Sequence, residues 1–226
     1  YFCWALLSIP YLSCSLKHMS WLKQLKNMSW LDLGAGPSRH RTKGKLIAFN
    51  QARRFYRQGH QALDLGCGDG FWSEQLKSLG YQLTSVDQAK YYDGANVLNL
   101  ENRLPFSDHS FDLIWSTEVL EHLWTPEKII LEIKRILKPD GYLILTTPNS
   151  HFWIYPILKL FGQTPQTLQN PDHKQFFHRS DIRRLFPRAQ IYGFFPYFIL
   201  KLTLSRPRLV GYLSPTFVIV AVAEEL

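Results

Sequence analysis

The residues best suited to chemistry in this chain gather in a few short stretches. At 62–71, ALDLGCGDGF, an apolar run carries Asp64 and is followed by Gly66, Gly68 and Gly70 at every second position. Such a turn has almost no side chain, so a ligand can lie against bare backbone. The helix that would begin near Gly70 offers unpaired N–H groups beside it. Cys67 sits inside the turn as a small residue that fits a tight site rather than as a nucleophile. Asp64 reads as a group that orders the turn. Asp87 stands 23 residues after Asp64, at the end of the next apolar run. A nucleotide-type βαβ unit needs an acid there to hold ribose hydroxyls.

Glu118, Glu121 and His122 are spaced i, i+3 and i+4, which on a helix places all three on one face. Two carboxylates and an imidazole could hold a divalent ion such as Mg2+. His122 could instead take a proton from a hydroxyl, with a pKa near working pH. The plain alternative is a structural histidine with two acids near the positive end of a helix. His173 and His178, around Phe176 and Phe177, could touch a substrate or be solvated loop residues.

The glycine spacing narrows the ligand. A dinucleotide fingerprint needs GxGxxG, and Phe71 holds the place of the third glycine. There is no phosphate-loop Lys-Ser/Thr pair. A ligand with a ribose but no phosphate fits better, and S-adenosylmethionine is one. A near-copy of the turn, LDLGAG at 31–36, lacks the acid, since no Asp or Glu occurs from Leu33 to Leu63.

The elements that must position these residues follow from the pattern. Lys45 to Gln58 reads as a helix closed by Gly59, and Ser20 to Ser29 as a short amphipathic helix. Strands are expected to end at Leu65 and Asp87, and at Asn96–Leu98, Phe111–Trp115 and Tyr142–Thr146. Helices are expected at Phe71–Leu79 and Pro126–Leu137. Alternating strands and helices imply a largely parallel sheet covered on both faces. Beyond Pro148 we expect an aromatic run, a loop over Gln163–His173, a short helix N-capped by Ser180, and an antiparallel pair of strands at Ala189–Phe195 and Phe217–Ala223.

Composition sets the outer limits. The chain has 226 residues, 46% of them hydrophobic, which suits one α/β domain with small additions and excludes global disorder. We expect an N-terminal extension over 1–40 and one domain over 41–226. The net charge of +8 attracts nucleic acid, anionic lipid or acidic substrates. Three cysteines without framework spacing argue against a disulfide scaffold and fit a reducing, cytoplasmic setting. Tyr1 to Leu16 is apolar but is interrupted by Pro10, too short to span a bilayer and without a basic leader region. Met19 and Met28 are candidate starts. The aromatics at 152–161 and 192–198 fit an apolar pocket, a membrane surface with peripheral contact, or core packing.

Four stretches in order carry a family resemblance: LDLGCGDG at 63–70, SVDQ at 85–88, LPFSDHSFDLIWSTEVLEHL at 104–123 and EIKRILKPDGYLILTTPN at 132–149. Over roughly 45–195 the chain resembles class I S-adenosylmethionine-dependent methyltransferases, and within them the ubiquinone-biosynthesis type. The resemblance implies a Rossmann-like, seven-stranded, mostly parallel sheet with an antiparallel last strand. It implies that Gly66 and Gly68 approach the methionine portion, Asp87 the ribose, Asn99 and Leu100 the adenine, and that Thr117 lines the cofactor. Asn50-Gln51-Ala52-Arg53 is similar to a family helix whose arginine, here Arg53, pairs with the cofactor carboxylate; the alternative is a surface arginine. Some relatives hold a metal ion for a catechol-like substrate, which bears on Glu118, Glu121 and His122. The acceptor implied is an apolar hydroxyl compound, with a sugar precursor, or binding without catalysis, as alternatives. Nucleic acid is not expected: Ser116-Thr117-Glu118-Val119 is not an Asn/Asp-Pro-Pro-Tyr-type motif.

Overall fold

The computed structural model describes residues 42–196 and 201–226. The expected helix at Ser20–Ser29, the LDLGAG near-copy and the 1–40 extension lie outside these residues.

Helix α1 (Lys43–Phe55) is started by Thr42, whose hydroxyl accepts the Lys45 N–H. It begins two residues earlier than its apolar pattern suggested. It also ends earlier, because Tyr56 leaves the helical conformation and caps it. Next come β1 (Gln61–Leu65), α2 (Phe71–Leu79), β2 (Gln82–Asp87), β3 (Ala95–Val97) and β4 (Phe111–Thr117). A single 3-10 turn, Leu120–His122, precedes α3 (Pro126–Ile136) and β5 (Leu137–Pro148). The Pro139-Asp140-Gly141 turn is absorbed into β5 as an irregularity against β4, where the register shifts between Phe111 and Leu113.

The remainder is α4 (Ile154–Lys159), α5 (Pro165–Leu168), α6 (Arg179–Leu185), β6 (Gln190–Pro196), β7 (Lys201–Leu204), α7 (Pro207–Leu213) and β8 (Thr216–Val222). The cap of α6 is His178 rather than Ser180. Asp181 reaches back to accept the His178 N–H at 2.8 Å, which places Ser180 inside the helix.

The sheet order is β3-β2-β1-β4-β5-β8-β6-β7. The first five strands are parallel, and β8 runs antiparallel between β5 and β6. There are eight strands rather than seven. The addition is β7, which pairs antiparallel with β6 at the edge and, with α7, separates the two strands expected to form a direct hairpin. Side chains of β4 alternate between two cores. Ile114 packs with Leu63, Leu65, Leu143 and α3, while Leu113 and Trp115 pack with Ala62, Ile144, Val218 and the helices α1 and α2. Helices therefore cover both faces of the parallel half. None of the described helices is long and apolar enough to cross a membrane.

Candidate functional site

The chain leaves β1 toward β2 and β3, then returns to place β4 and β5 on the other side of β1. The crevice beyond the carboxyl ends of β1 and β4 is therefore a topological switch point, where open α/β sheets bind ligands. A cleft of about 470 Å3 opens there, lined by Gly66, Gly68, Asp87, Leu100, Thr117 and His122, among others. A second lobe of about 450 Å3 shares Gly66, Gly68, Thr117 and His122 and adds Lys45 and Cys67.

The floor of the cleft is backbone held in place by backbone. The N–H groups of Gly66 and Cys67 both reach the Val86 carbonyl, at 2.9 and 3.0 Å. Gly66 has φ +81, and a Cβ there would lie 2.2 Å from the Val119 side chain. Only glycine fits that position, through both conformation and space. The Gly68 N–H donates to Asp87 Oδ2 at 2.8 Å, and the Ala89 N–H to Asp87 Oδ1 at 3.3 Å. The Asp87 carboxylate thus ties β2 to the turn while lining the cleft. Beneath the turn, fully buried Asp64 accepts from the Ser73 hydroxyl at 2.6 Å, and Ser73 contacts the Ser85 hydroxyl at 2.9 Å. The Asp64 carboxyl is pushed up to about 7 in all: burial raises it most, the Ser73 hydroxyl offsets part of that, and the Asp87 charge adds to the rise. Asp64 does not line the cleft. Burial, with the nearby Asp64 and Asp87 charges, pushes the Cys67 thiol up to about 12, far from a reactive thiolate.

The far wall begins where β4 ends. Glu118 has φ +59, so the chain turns sharply there instead of entering a helix. Its N–H reaches the Thr146 carbonyl, and its carboxylate accepts from the Thr146 hydroxyl at 2.9 Å. The shared helical face expected of Glu118, Glu121 and His122 does not form. Instead the Glu121 carbonyl accepts from the N–H groups of Lys174 and Gln175, at 2.8 and 3.0 Å. That strap brings residues 170–174 over the cleft, where Asn170, Asp172 and Lys174 line it. It also sets His173 against His122, with ring centroids 4.8 Å apart and edge to face.

The compact cluster is therefore Glu121, His122 and His173. Glu121 is buried: one oxygen accepts from the Thr147 hydroxyl at 3.0 Å, while Oε1 has no hydrogen-bond partner and lies 3.9 Å from His173 Nε2. Desolvation, with Glu118 nearby, holds the Glu121 carboxyl well above the usual range. Desolvation and His122 depress His173 to about 4, so it is neutral at physiological pH. One buried carboxylate and two imidazoles do not fit Mg2+, a hard ion that takes oxygen ligands.

Two expected contacts fall outside the cleft. Arg53 is exposed on the solvent side of α1, whose buried residues include Ile47, Ala48, Gln51 and Ala52. The cation that α1 brings to the cleft is Lys45, about 12 Å earlier along the helix axis. Asn99 is exposed and its side-chain oxygen accepts the Glu101 N–H at 2.9 Å, whereas its neighbour Leu100 is buried and lines the cleft. Thr117 lies on the wall as expected. Lys45, Tyr91 and the 170–174 strap carried no motif, and Val119 lay within the 104–123 stretch without an assigned role. Only the histidine pair at 173 and 178 hinted at the strap.

Comparison with known proteins agrees with this geometry. Residues 38–192 match a family model described as a methyltransferase domain. A protein of Mycolicibacterium smegmatis named as a probable S-adenosylmethionine-dependent methyltransferase is 26% identical over 144 residues, covering 58% of this chain and 51% of the relative. A ubiquinone biosynthesis O-methyltransferase of Coxiella burnetii is 31% identical over 143 residues, covering 55% and 60%. The chain thus spans about half the length of the curated relatives it matches. The solved structure of a methyltransferase from Archaeoglobus fulgidus superposes with a TM-score of 0.59 at 17% identity, covering 81% of this chain and 96% of that one, which speaks to the fold. With the glycine turn, Asp87 and the switch-point cleft in their expected order, the chain belongs to the class I S-adenosylmethionine-dependent methyltransferases.

Proposed function

We propose that residues 41–226 form the catalytic unit, with 1–40 as an extension, and that it methylates a small-molecule hydroxyl. The observation that carries this reading is the cleft itself: bare backbone at Gly66 and Gly68, a carboxylate at Asp87 and an imidazole at His122 on one crevice. The donor set suits S-adenosylmethionine. Asp87 offers oxygens to ribose hydroxyls, Leu100 an apolar wall to adenine, the glycine turn unobstructed backbone to the methionine portion, and Lys45 a cation for its carboxylate. When bound, that group supplies an electrophilic methyl on a sulfonium.

The chain's own work is positioning and proton handling. The strap over 170–174 narrows the cleft and excludes water, so the acceptor is oriented before reaction. His122 accepts the hydroxyl proton as the new oxygen–carbon bond forms and the carbon–sulfur bond breaks. Neutral His173 and the buried Glu121 carboxyl behind it keep His122 from facing a second positive charge. The ubiquinone-type relatives favour an apolar, quinone-like acceptor. Asn170, Asp172 and Lys174 on the roof favour a second reading, a sugar hydroxyl.

Transfer of radiolabelled methyl from S-adenosylmethionine to quinone, lipid and sugar extracts separates the two acceptors. Absence of any labelled product, with S-adenosylmethionine bound, would leave a binding protein and overturn the catalytic reading.

A further inference from the structure

Away from the cleft, α6 and α7 enclose a hollow of about 560 Å3 lined by Arg179, Arg183, Arg206, Pro207, Arg208 and Leu209. Four arginines line one space, and among the described residues none of them is in an ion pair. The acid nearest in sequence, Asp181, is already engaged by the His178 N–H, and Glu127 pairs with Arg184 instead. Two of the four are held by the fold. Arg183 donates to the carbonyls of Pro187 and Ala189, at 3.0 and 3.2 Å. The stem of Arg179 lies against Gly211, where a Cβ would come within 2.5 Å of it. Arg206 and Arg208 are exposed.

Apolar side chains stand beside this charge. Leu209 and Tyr212 on α7 are 44% and 57% exposed. The Tyr212 carbonyl accepts the Trp153 N–H at 2.9 Å, which joins α7 to the start of α4; Ile157 within α4, and Leu160 and Phe161 just past its end, are also exposed. Like charges gathered without counter-ions repel one another, so an anionic partner that supplies the neutralising charge relieves that repulsion. The rest of this chain does not supply it. The sequence outside the described residues, 1–41 and 197–200, contains one carboxylate, Asp32, against five Lys and Arg.

We propose that the arginine-lined hollow between α6 and α7, with Leu209 and Tyr212 beside it, docks the protein on a bilayer surface rich in anionic phospholipid headgroups. Guanidinium groups pair bidentately with phosphate, and apolar side chains beside a basic cluster add burial at the headgroup level. A bilayer engages charge and apolar side chains together, whereas a soluble phosphate would use the charge alone. This docking surface does not depend on the methyl-transfer reading.

Flotation of the full chain with vesicles tests it. Binding is expected to vesicles containing phosphatidylglycerol and not to phosphatidylcholine alone, and to weaken as salt rises. The Arg206→Glu/Arg208→Glu variant should bind roughly tenfold or more weakly. Leu209→Ser should lose mainly the salt-resistant part. Circular dichroism reports the folding of the same variants and calorimetry with S-adenosylmethionine reports the cleft, so a fault in one reading is not mistaken for a fault in the other. Equal binding to neutral vesicles, no binding to either, or unchanged binding by the charge-reversed variant overturns the proposal. So does binding of inorganic phosphate or single-stranded RNA that the variant abolishes while vesicles remain unbound.

Discussion

Asp87 Oδ2 accepts a 2.8 Å hydrogen bond from the Gly68 N–H, which ties the end of β2 to the middle of the turn that follows β1. One carboxylate therefore both shapes the turn and faces the cleft. Asp87→Ala should lower affinity for S-adenosylmethionine by roughly tenfold to a hundredfold, the range for losing a hydrogen bond to a charged group. Asp87→Asn should fall in between, because its amide oxygen can still accept the Gly68 N–H without the charge. Titration calorimetry measures both, and undiminished affinity in Asp87→Ala would remove the ribose from this carboxylate.

Gly66 and Val119 both line the cleft, with the Val119 side chain filling the space that a Gly66 Cβ would need. Gly66→Ala faces a left-handed backbone, at roughly 1–2 kcal/mol, and a methyl 2.2 Å from Val119 Cγ2. Val119→Ala should relieve the second part and leave the first. In a double-mutant cycle by urea unfolding, the pair should therefore be less destabilised than the sum of the singles. Simple additivity would mean that the chain relieves the contact by moving elsewhere.

These two positions also show which features are legible in the sequence. The turn, Asp87 and the parallel core were legible because each is local: a strand period, a glycine conformation, an acid at the next strand end. The cluster behind His122 was not. Its expected helical face assumed that Glu118 continues a helix, and the positive φ at Glu118 breaks it. His173 arrives from 51 residues downstream through two backbone hydrogen bonds to the Glu121 carbonyl. No spacing rule reaches across such a distance. Arg53 lies outside the cleft, as its surface alternative had it, because a short motif match fixes a helix but not which of its cations turns inward. Burial of Gln51 and Ala52 leaves Arg53 outside and Lys45 at the cleft.

Asp64 should leave a pH signature in stability. Its carboxyl is raised in the folded state from 3.8 to about 7, so the folded chain holds more protons than the unfolded one in that window. Stability from this group therefore falls as pH rises from about 4 to about 7 and is flat outside it. The full effect is on the order of 4 kcal/mol. Asp64→Asn keeps an oxygen for the Ser73 hydroxyl and carries no charge, so it should flatten much of this slope and be the more stable protein at pH 8. Of the slope that remains, Glu121, raised in the same direction, adds to the fall, while His173, lowered from 6.5 to about 4, contributes a rise between those two values. Denaturant unfolding at pH 5 and pH 8 checks this, and an unchanged slope in Asp64→Asn would sink it.

His122 is the imidazole that lines both lobes of the cleft, and its neighbours decide how it acts. His173 is neutral near pH 7 and Glu121 is held toward its protonated form, so neither competes with His122 for the acceptor's proton. If His122 is the base, His122→Asn should lower kcat by roughly a hundredfold or more while S-adenosylmethionine still binds. The loss should shrink as pH rises, because a more ionised acceptor needs the base less. A chelator should leave the wild-type rate unchanged, since the donors behind His122 do not suit Mg2+. Initial rates across pH, with and without chelator, separate the alternatives. A pH-independent deficit in His122→Asn would make His122 a positioning residue, and a rate abolished by chelation and restored by Mg2+ would return the Glu121 cluster to the role of a metal site.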